Sequence, residues 1–280
     1  MKNNIIFLFV LLMFLLCALS GCNGQNEKQK AIKENATLFE QSIIEKATDY
    51  KILSLNEITP FEWDKVYFFP PYASNQYIYE KVGYRWDTIP IATTERMMQI
   101  AFMDDEKVVC YIVGEQNLYG FETCYHISSD REEFFKFDNP KFIVNNRSSG
   151  PILSWFDESL VDTEQYNDVP ETIVGEWGKW VQGSGILDFI ITKEGLVNGY
   201  LGYGSTEEHG GSGGAQFIGI VNKDIARCKT YPYDEIEFEL LFDGNDQFKL
   251  FVDFSEKLNF LYIDGEEANI DGEIIVEKID

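Results

Sequence analysis

Glu237-Phe238-Glu239-Leu240-Leu241-Phe242, Asp243-Gly244-Asn245-Asp246, Gln247-Phe248-Lys249-Leu250-Phe251-Val252-Asp253-Phe254 is the stretch whose reading decides the fold. Phe238, Leu240 and Phe242 alternate with Glu237, Glu239 and Leu241. Phe248, Leu250, Val252 and Phe254 alternate with Lys249, Phe251 and Asp253. Side chains along a strand point alternately to opposite faces, so a period of two with one polar face describes a sheet buried on one side. The four residues between the runs are turn formers, which makes the pair a hairpin. They are too few for a twelve-residue calcium loop and lack its distal glutamate.

Similar runs surround the hairpin. Candidate strands cover 174–181, 185–192, 196–202, 215–221, 235–242, 247–254, 259–263 and 273–279, with turn signals at Lys193-Glu194-Gly195, Asp264-Gly265 and Asp271-Gly272. Short strands at this spacing predict a closed meander barrel or a small sandwich. Upstream the period changes. Ile32, Ala36, Phe39, Ile43 and Ala47 recur every three or four residues, which predicts an amphipathic helix over 29–50. Val66 to Phe69 reads as a strand stopped by Pro70 and Pro71, which cannot donate to a ladder. Ser74 is positioned to cap a helix over 75–82 that Gly83 ends. Strands are expected at 97–102, 108–113 and 121–127, with turns at 104–107 and 114–120. Turn formers dominate 145–172, so a boundary is placed near 170. The expected class is α+β: an N-terminal domain of helix plus antiparallel sheet over 31–169, then an all-β meander barrel or small sandwich over 170–280.

The chain has 280 residues, 45% hydrophobic and 15% aromatic, enough for one large or two small cores. With 47 acidic against 23 basic residues the net charge is −24. Phosphate recognition rests on clustered Lys and Arg, so nucleic-acid binding is excluded as a leading function, as is flat adhesion to an anionic lipid surface.

The first residues are a separate problem. Lys2 precedes an uninterrupted apolar or small run from Ile5 to Leu19, and Asn23 to Glu27 end it sharply. A run of about 15 residues is short for a permanent span, which needs roughly 20, and fits a secretory leader. Leu19-Ser20-Gly21-Cys22 closes it and resembles the lipobox of bacterial lipoproteins. The resemblance implies cleavage after residue 21, a diacylglycerol on Cys22 and residence on the extracytoplasmic face of a membrane. Residues 22–30 then read as a tether. Trp63-Asp64-Lys65, the strand after it and Pro71-Tyr72 resemble a family of small secreted or lipid-anchored bacterial domains. Gly175-Glu176-Trp177 resembles the Gly-x-Trp that opens lipocalin-like barrels. That resemblance implies a small-ligand site in the barrel beside Trp177 and Trp180, although Lys278 stands on the final strand in place of the arginine such barrels carry.

Catalytic patterns are weak. Gly210-Gly211-Ser212-Gly213-Gly214 satisfies G-x-S-x-G beside His209, but that pattern needs a strand-to-helix elbow and a strand is expected after it. Once the leader and Cys22 are set aside, Cys110, Cys124 and Cys228 remain. Cys110 and Cys124 face each other if 108–127 forms a hairpin near Asn117. Two readings stand there: a bridge, and buried thiols. With His126 the two cysteines would offer a zinc site three ligands. The only histidines are His126 and His209, and no H-E-x-x-H occurs. The expected function is therefore binding by a membrane-anchored lipoprotein. Its partners would be the lipid membrane through its acylated N-terminus and an envelope protein, a wall polymer or a small ligand. No cofactor is expected beyond the covalent lipid on Cys22. The alternatives are an extracytoplasmic hydrolase using paired carboxylates and a lipocalin-like carrier.

Overall fold

A computed structural model describes residues 27–86, 89–124, 132–147, 150–167, 169–181, 184–203, 213–231, 237–242, 247–251, 262–263, 266–267 and 274–278. The fold is α+β, rich in antiparallel strands, and it divides into two compact units that the chain visits alternately. The first unit holds 56–122 and 132–140 with the N-terminal helix; the second holds 47–55, 123–124 and the described residues from Lys141 onward.

In the first unit, helix α1 (residues 27–46) buries Ile32, Ala36, Phe39 and Ile43, the stripe read from the sequence. It already includes residues 27–30, which the sequence reading assigns to the tether. Apolar periodicity cannot register an exposed first turn. Glu27, Lys28 and Lys30 are good helix formers, and Lys30 meets Glu34 one turn on at 3.5 Å. Strand β1 (Ile52–Ser54) belongs to the second unit, and the one-turn α2 (Leu55–Ile58) leads back. Then come β2 (Lys65–Phe68), α3 (Asn75–Val82), β3 (Met97–Asp104) and β4 (Lys107–Glu115). Ser74 caps α3 by accepting a bond from the Tyr77 N–H at 3.2 Å, and Gly83 ends it in the left-handed region, as the sequence indicates. The sheet order is β4-β3-β2-β6, with β6 at Glu133–Phe135. Strand β3 is central and buried on both faces. Phe102 points to one side, where its ring lies 5.0 Å from Phe39 of α1. Ala101 and Met103 point to the other, packing with Ile78 and Val82 of α3.

The expected hairpin joining β4 to the next strand does not form. The connection holds α4 (Gln116–Tyr119), and β5 (Glu122–Cys124) joins the other four-stranded sheet, of order β1-β7-β8-β5. Here β7 is Lys141–Arg147 and β8 is Gly150–Trp155. Residues 141–169, placed by the sequence reading before the boundary near 170, cluster with the barrel. Ile143 and Phe156 pack there with Leu196 and Ile218.

The barrel is an eight-stranded antiparallel meander: β9 (Gly175–Val181), β10 (Ser184–Ile191), β11 (Leu196–Tyr203), β12 (Gly213–Asn222), β13 (Ile225–Tyr231), β14 (Glu237–Phe242), β15 (Gln247–Phe251) and β18 (Ile274–Lys278). It closes where Glu277 and Lys278 pair with Gly178 and Trp177. The short pair β16 (Tyr262–Ile263) and β17 (Glu266–Glu267) lies between β15 and β18 in sequence and pairs only with itself. An eight-stranded barrel is just wide enough for side chains to fill it. Trp177, Leu187, Phe189, Val197, Phe217, Phe238 and Leu240 form one buried cluster.

Candidate functional site

Three features place a groove beside the sheet of the first unit. Helix α1 lies along β4, held by the Asn35 side-chain amide donating to the Val109 carbonyl at 2.9 Å. Its residues Ile32 and Ala36 form one wall. Helix α4 forms a second wall, and Gly114 permits it. The Gly114 φ of +156° lies where side chains are rarely found, and a Cβ there would sit 2.8 Å from Leu118 Cδ2. Gly120 then ends α4 in the left-handed region, its N–H bonded to Gln116 O at 2.7 Å. Trp86 and Tyr111 complete the groove, edge to face with centroids 5.3 Å apart.

The groove encloses about 750 Å³, inside the range of small-molecule sites. Its chemistry follows from where the tyrosine hydroxyls point. Tyr111 Oη donates to Pro90 O at 2.9 Å, and Tyr119 Oη donates to Val113 O at 3.3 Å. Both hydroxyls are committed to backbone, so the rings offer apolar surface. Burial pushes both titrations upward, which keeps both phenols neutral at physiological pH. Leu118 is 65% exposed, unusual for a leucine beside an apolar concavity. Lys33 and Gln29 stand at the rim.

No protein-family model, curated protein or solved structure matches the chain.

A larger concavity of about 970 Å³ lies in the second unit, over β12–β14 and the segment containing Asp162. Its lining charges have both signs and all but the half-buried Lys229 are exposed, and Arg227 Nε already donates to Glu239 at 3.1 Å. Exposed pairs of this kind contribute little. The groove of the first unit is therefore the better candidate.

The residues singled out from the sequence fall as follows. Trp177 is completely buried in the barrel core; its indole N–H donates to Ile173 O at 2.9 Å and its ring meets Phe242 at 6.1 Å. Trp180 lies on β9, paired with Gly185. Cys22, His126 and His209 lie outside the described residues. Strand β12 starts at Gly213, so the last two glycines of the G-x-S-x-G pattern already lie in the strand expected after it, and Ser212 lies outside the described residues. Cys110 and Cys124 do not face each other across a hairpin, because β4 and β5 belong to different sheets. Cys110 and Cys228 are free, buried thiols whose titration burial pushes far up, away from the reactive thiolate. Among the described residues no group of three or more His, Cys, Asp or Glu could hold a metal ion. Burial raises the titration of Glu40. Among the described residues no helix is long and apolar enough to cross a membrane.

Sequence reasoning missed the groove. Its residues come from α1, the segment after α3, β4 and α4, and none forms a motif. The one local signal was Gly114-Glu115-Gln116-Asn117-Leu118-Tyr119-Gly120, whose two glycines bracket two apolar residues.

Proposed function

We propose that this protein is held on the extracytoplasmic face of a membrane by a lipid on Cys22 and acts as a binding protein, with the groove between α1, β4 and α4 as its recognition site. The groove carries the binding half of the reading. Apolar surface left open to water beside Trp86, Tyr111 and Leu118 costs about 25 cal/mol per Å², and a ligand that covers it recovers that free energy. The leader and Leu19-Ser20-Gly21-Cys22 support the anchor. Two acyl chains would hold the protein stably, where one holds only marginally.

Each half has its own test. Cys22→Ala should either release the protein from membranes or leave its leader uncut; normal cleavage with unchanged membrane retention would contradict the anchor. For the groove, the neutral dye N-phenyl-1-naphthylamine should bind the chain from Asn23 onward saturably, at one site. Leu118→Asp, at an exposed position, should weaken that binding by about tenfold without altering the circular dichroism, since tenfold is only about 1.4 kcal/mol. Dye binding that never saturates, or that ignores the substitution, removes the groove as the site.

A further inference from the structure

The groove is not uniform along its length. Along α1 it is lined by Gln29, Ile32, Lys33, Ala36 and Thr37, and Lys33 is the charged residue among those that line it. The floor is ring and alkyl surface, because both tyrosine hydroxyls are spent on Pro90 and Val113 carbonyls. A polyhydroxylated ligand would find few partners on such a floor and would lose hydrogen bonds to water.

Charge marks where a head group would sit. The chain carries a net charge of −24, yet Lys28, Lys30 and Lys33 fall within six residues at the start of α1. Two of these are engaged: Lys30 pairs with Glu34 at 3.5 Å, and Lys28 lies over the Tyr84 ring at 5.1 Å. Among the described residues no carboxylate lies within ion-pair distance of Lys33. An ammonium at the rim of an apolar trough is complementary to a ligand with one anionic end and one apolar end.

From this arrangement we infer that the groove takes a single-chain anionic amphiphile, its alkyl chain lying against Trp86, Tyr111 and Tyr119 and its carboxylate or phosphate meeting Lys33. The inference rests on the groove being a binding site and adds the class of ligand. Recognition divides between the two parts of the ligand. The chain supplies affinity through area removed from water, at about 0.8 kcal/mol per methylene. The charged end sets orientation and excludes cationic amphiphiles.

The test is displacement of bound N-phenyl-1-naphthylamine from the chain starting at Asn23, with probes kept below micelle formation. Dodecanoate should displace the dye saturably, and dodecyl phosphate should do likewise. Dodecyltrimethylammonium should require at least tenfold higher concentration. Lys33→Glu should raise the dodecanoate concentration needed for displacement about tenfold relative to that of dodecyltrimethylammonium. If the dye binds but dodecanoate and dodecyl phosphate do not displace it, or the cationic amphiphile competes equally well, the ligand class is wrong and the groove stands. If dodecanoate is unaffected by Lys33→Glu, the placement of the head group is wrong. If the dye itself fails to bind, the groove reading falls and this inference falls with it.

Discussion

Replacing Phe102 by alanine should destabilise the first unit by about 3 to 5 kcal/mol, the cost of removing a buried aromatic ring and leaving its cavity. Phe102 is wholly buried at the centre of β3. Its ring meets Phe39 at 5.0 Å, Phe61 at 5.3 Å and Trp63 at 5.6 Å, each edge to face. Edge-to-face pairs contribute about 0.5 to 1.5 kcal/mol each beyond the area they bury. The partners come from α1 and from the segment before β2, so no single neighbour can close over the gap. A whole domain is stable by only about 5 to 15 kcal/mol, so this loss should lower the denaturation midpoint strongly. Chemical denaturation followed by near-ultraviolet circular dichroism measures it. A loss below about 1 kcal/mol would show that the aromatic cluster is not the centre of that core.

Gly219→Ala should be similarly severe in the barrel, for the opposite reason. A Cβ at Gly219 would lie 2.2 Å from the Arg227 carbonyl oxygen and 2.6 Å from Cys228 Sγ. Backbone cannot swing aside as a long side chain can, so β12 and β13 must separate. Overpacking of this kind costs about 1 to 3 kcal/mol and occasionally more, and contact with backbone places this site at or above the upper end. Gly199 is a parallel case, its added Cβ 2.4 Å from Asp188 O and 2.6 Å from Phe217 Cζ. Cys228 offers a direct readout, because its thiol is buried and protonated in the native state. In the Gly219→Ala protein it should react with a thiol reagent many times faster than in the parent, while Tyr200→Ala, at an exposed position on β11, should leave the rate unchanged. Equal rates for parent and Gly219→Ala would mean that the ladder accommodates the methyl group.

What could be read from the chain alone were features whose cause is local. The Ile32–Ile43 stripe marks a helix because 3.6 residues complete a turn. Ser74 and Gly83 bracket α3 because one supplies an acceptor to a free N–H and the other tolerates positive φ. Alternation marks most barrel strands. Strand β13, the barrel strand the sequence reading missed, shows the limit of that signal. Its inward residues Ala226, Cys228 and Thr230 are small or polar, and the apolar contrast with Arg227 and Lys229 is slight. They are small where neighbouring Phe217 and Phe238 fill the interior, the rings 5.0 Å apart. The segment 259–263, expected as a wall strand, instead contributes β16 to a separate pair.

Alternating residues thus determined that the C-terminal half is sheet with one buried face, and a leader ending at Gly21, just before Cys22, set the expectation of an anchor. Barrel and sandwich impose the same alternation, so the choice between them was not in the pattern. It was decided by a single pairing, Glu277 and Lys278 with Gly178 and Trp177, between strands at opposite ends of that half. The same holds for the groove. Ile32, Trp86, Tyr111 and Leu118 are unremarkable in sequence, and only long-range packing of α1 and α4 against β4 brings them together. Short-range chemistry writes helices, caps and strands into the chain; closure and concavity depend on contacts between residues far apart in it, which only the folded molecule supplies.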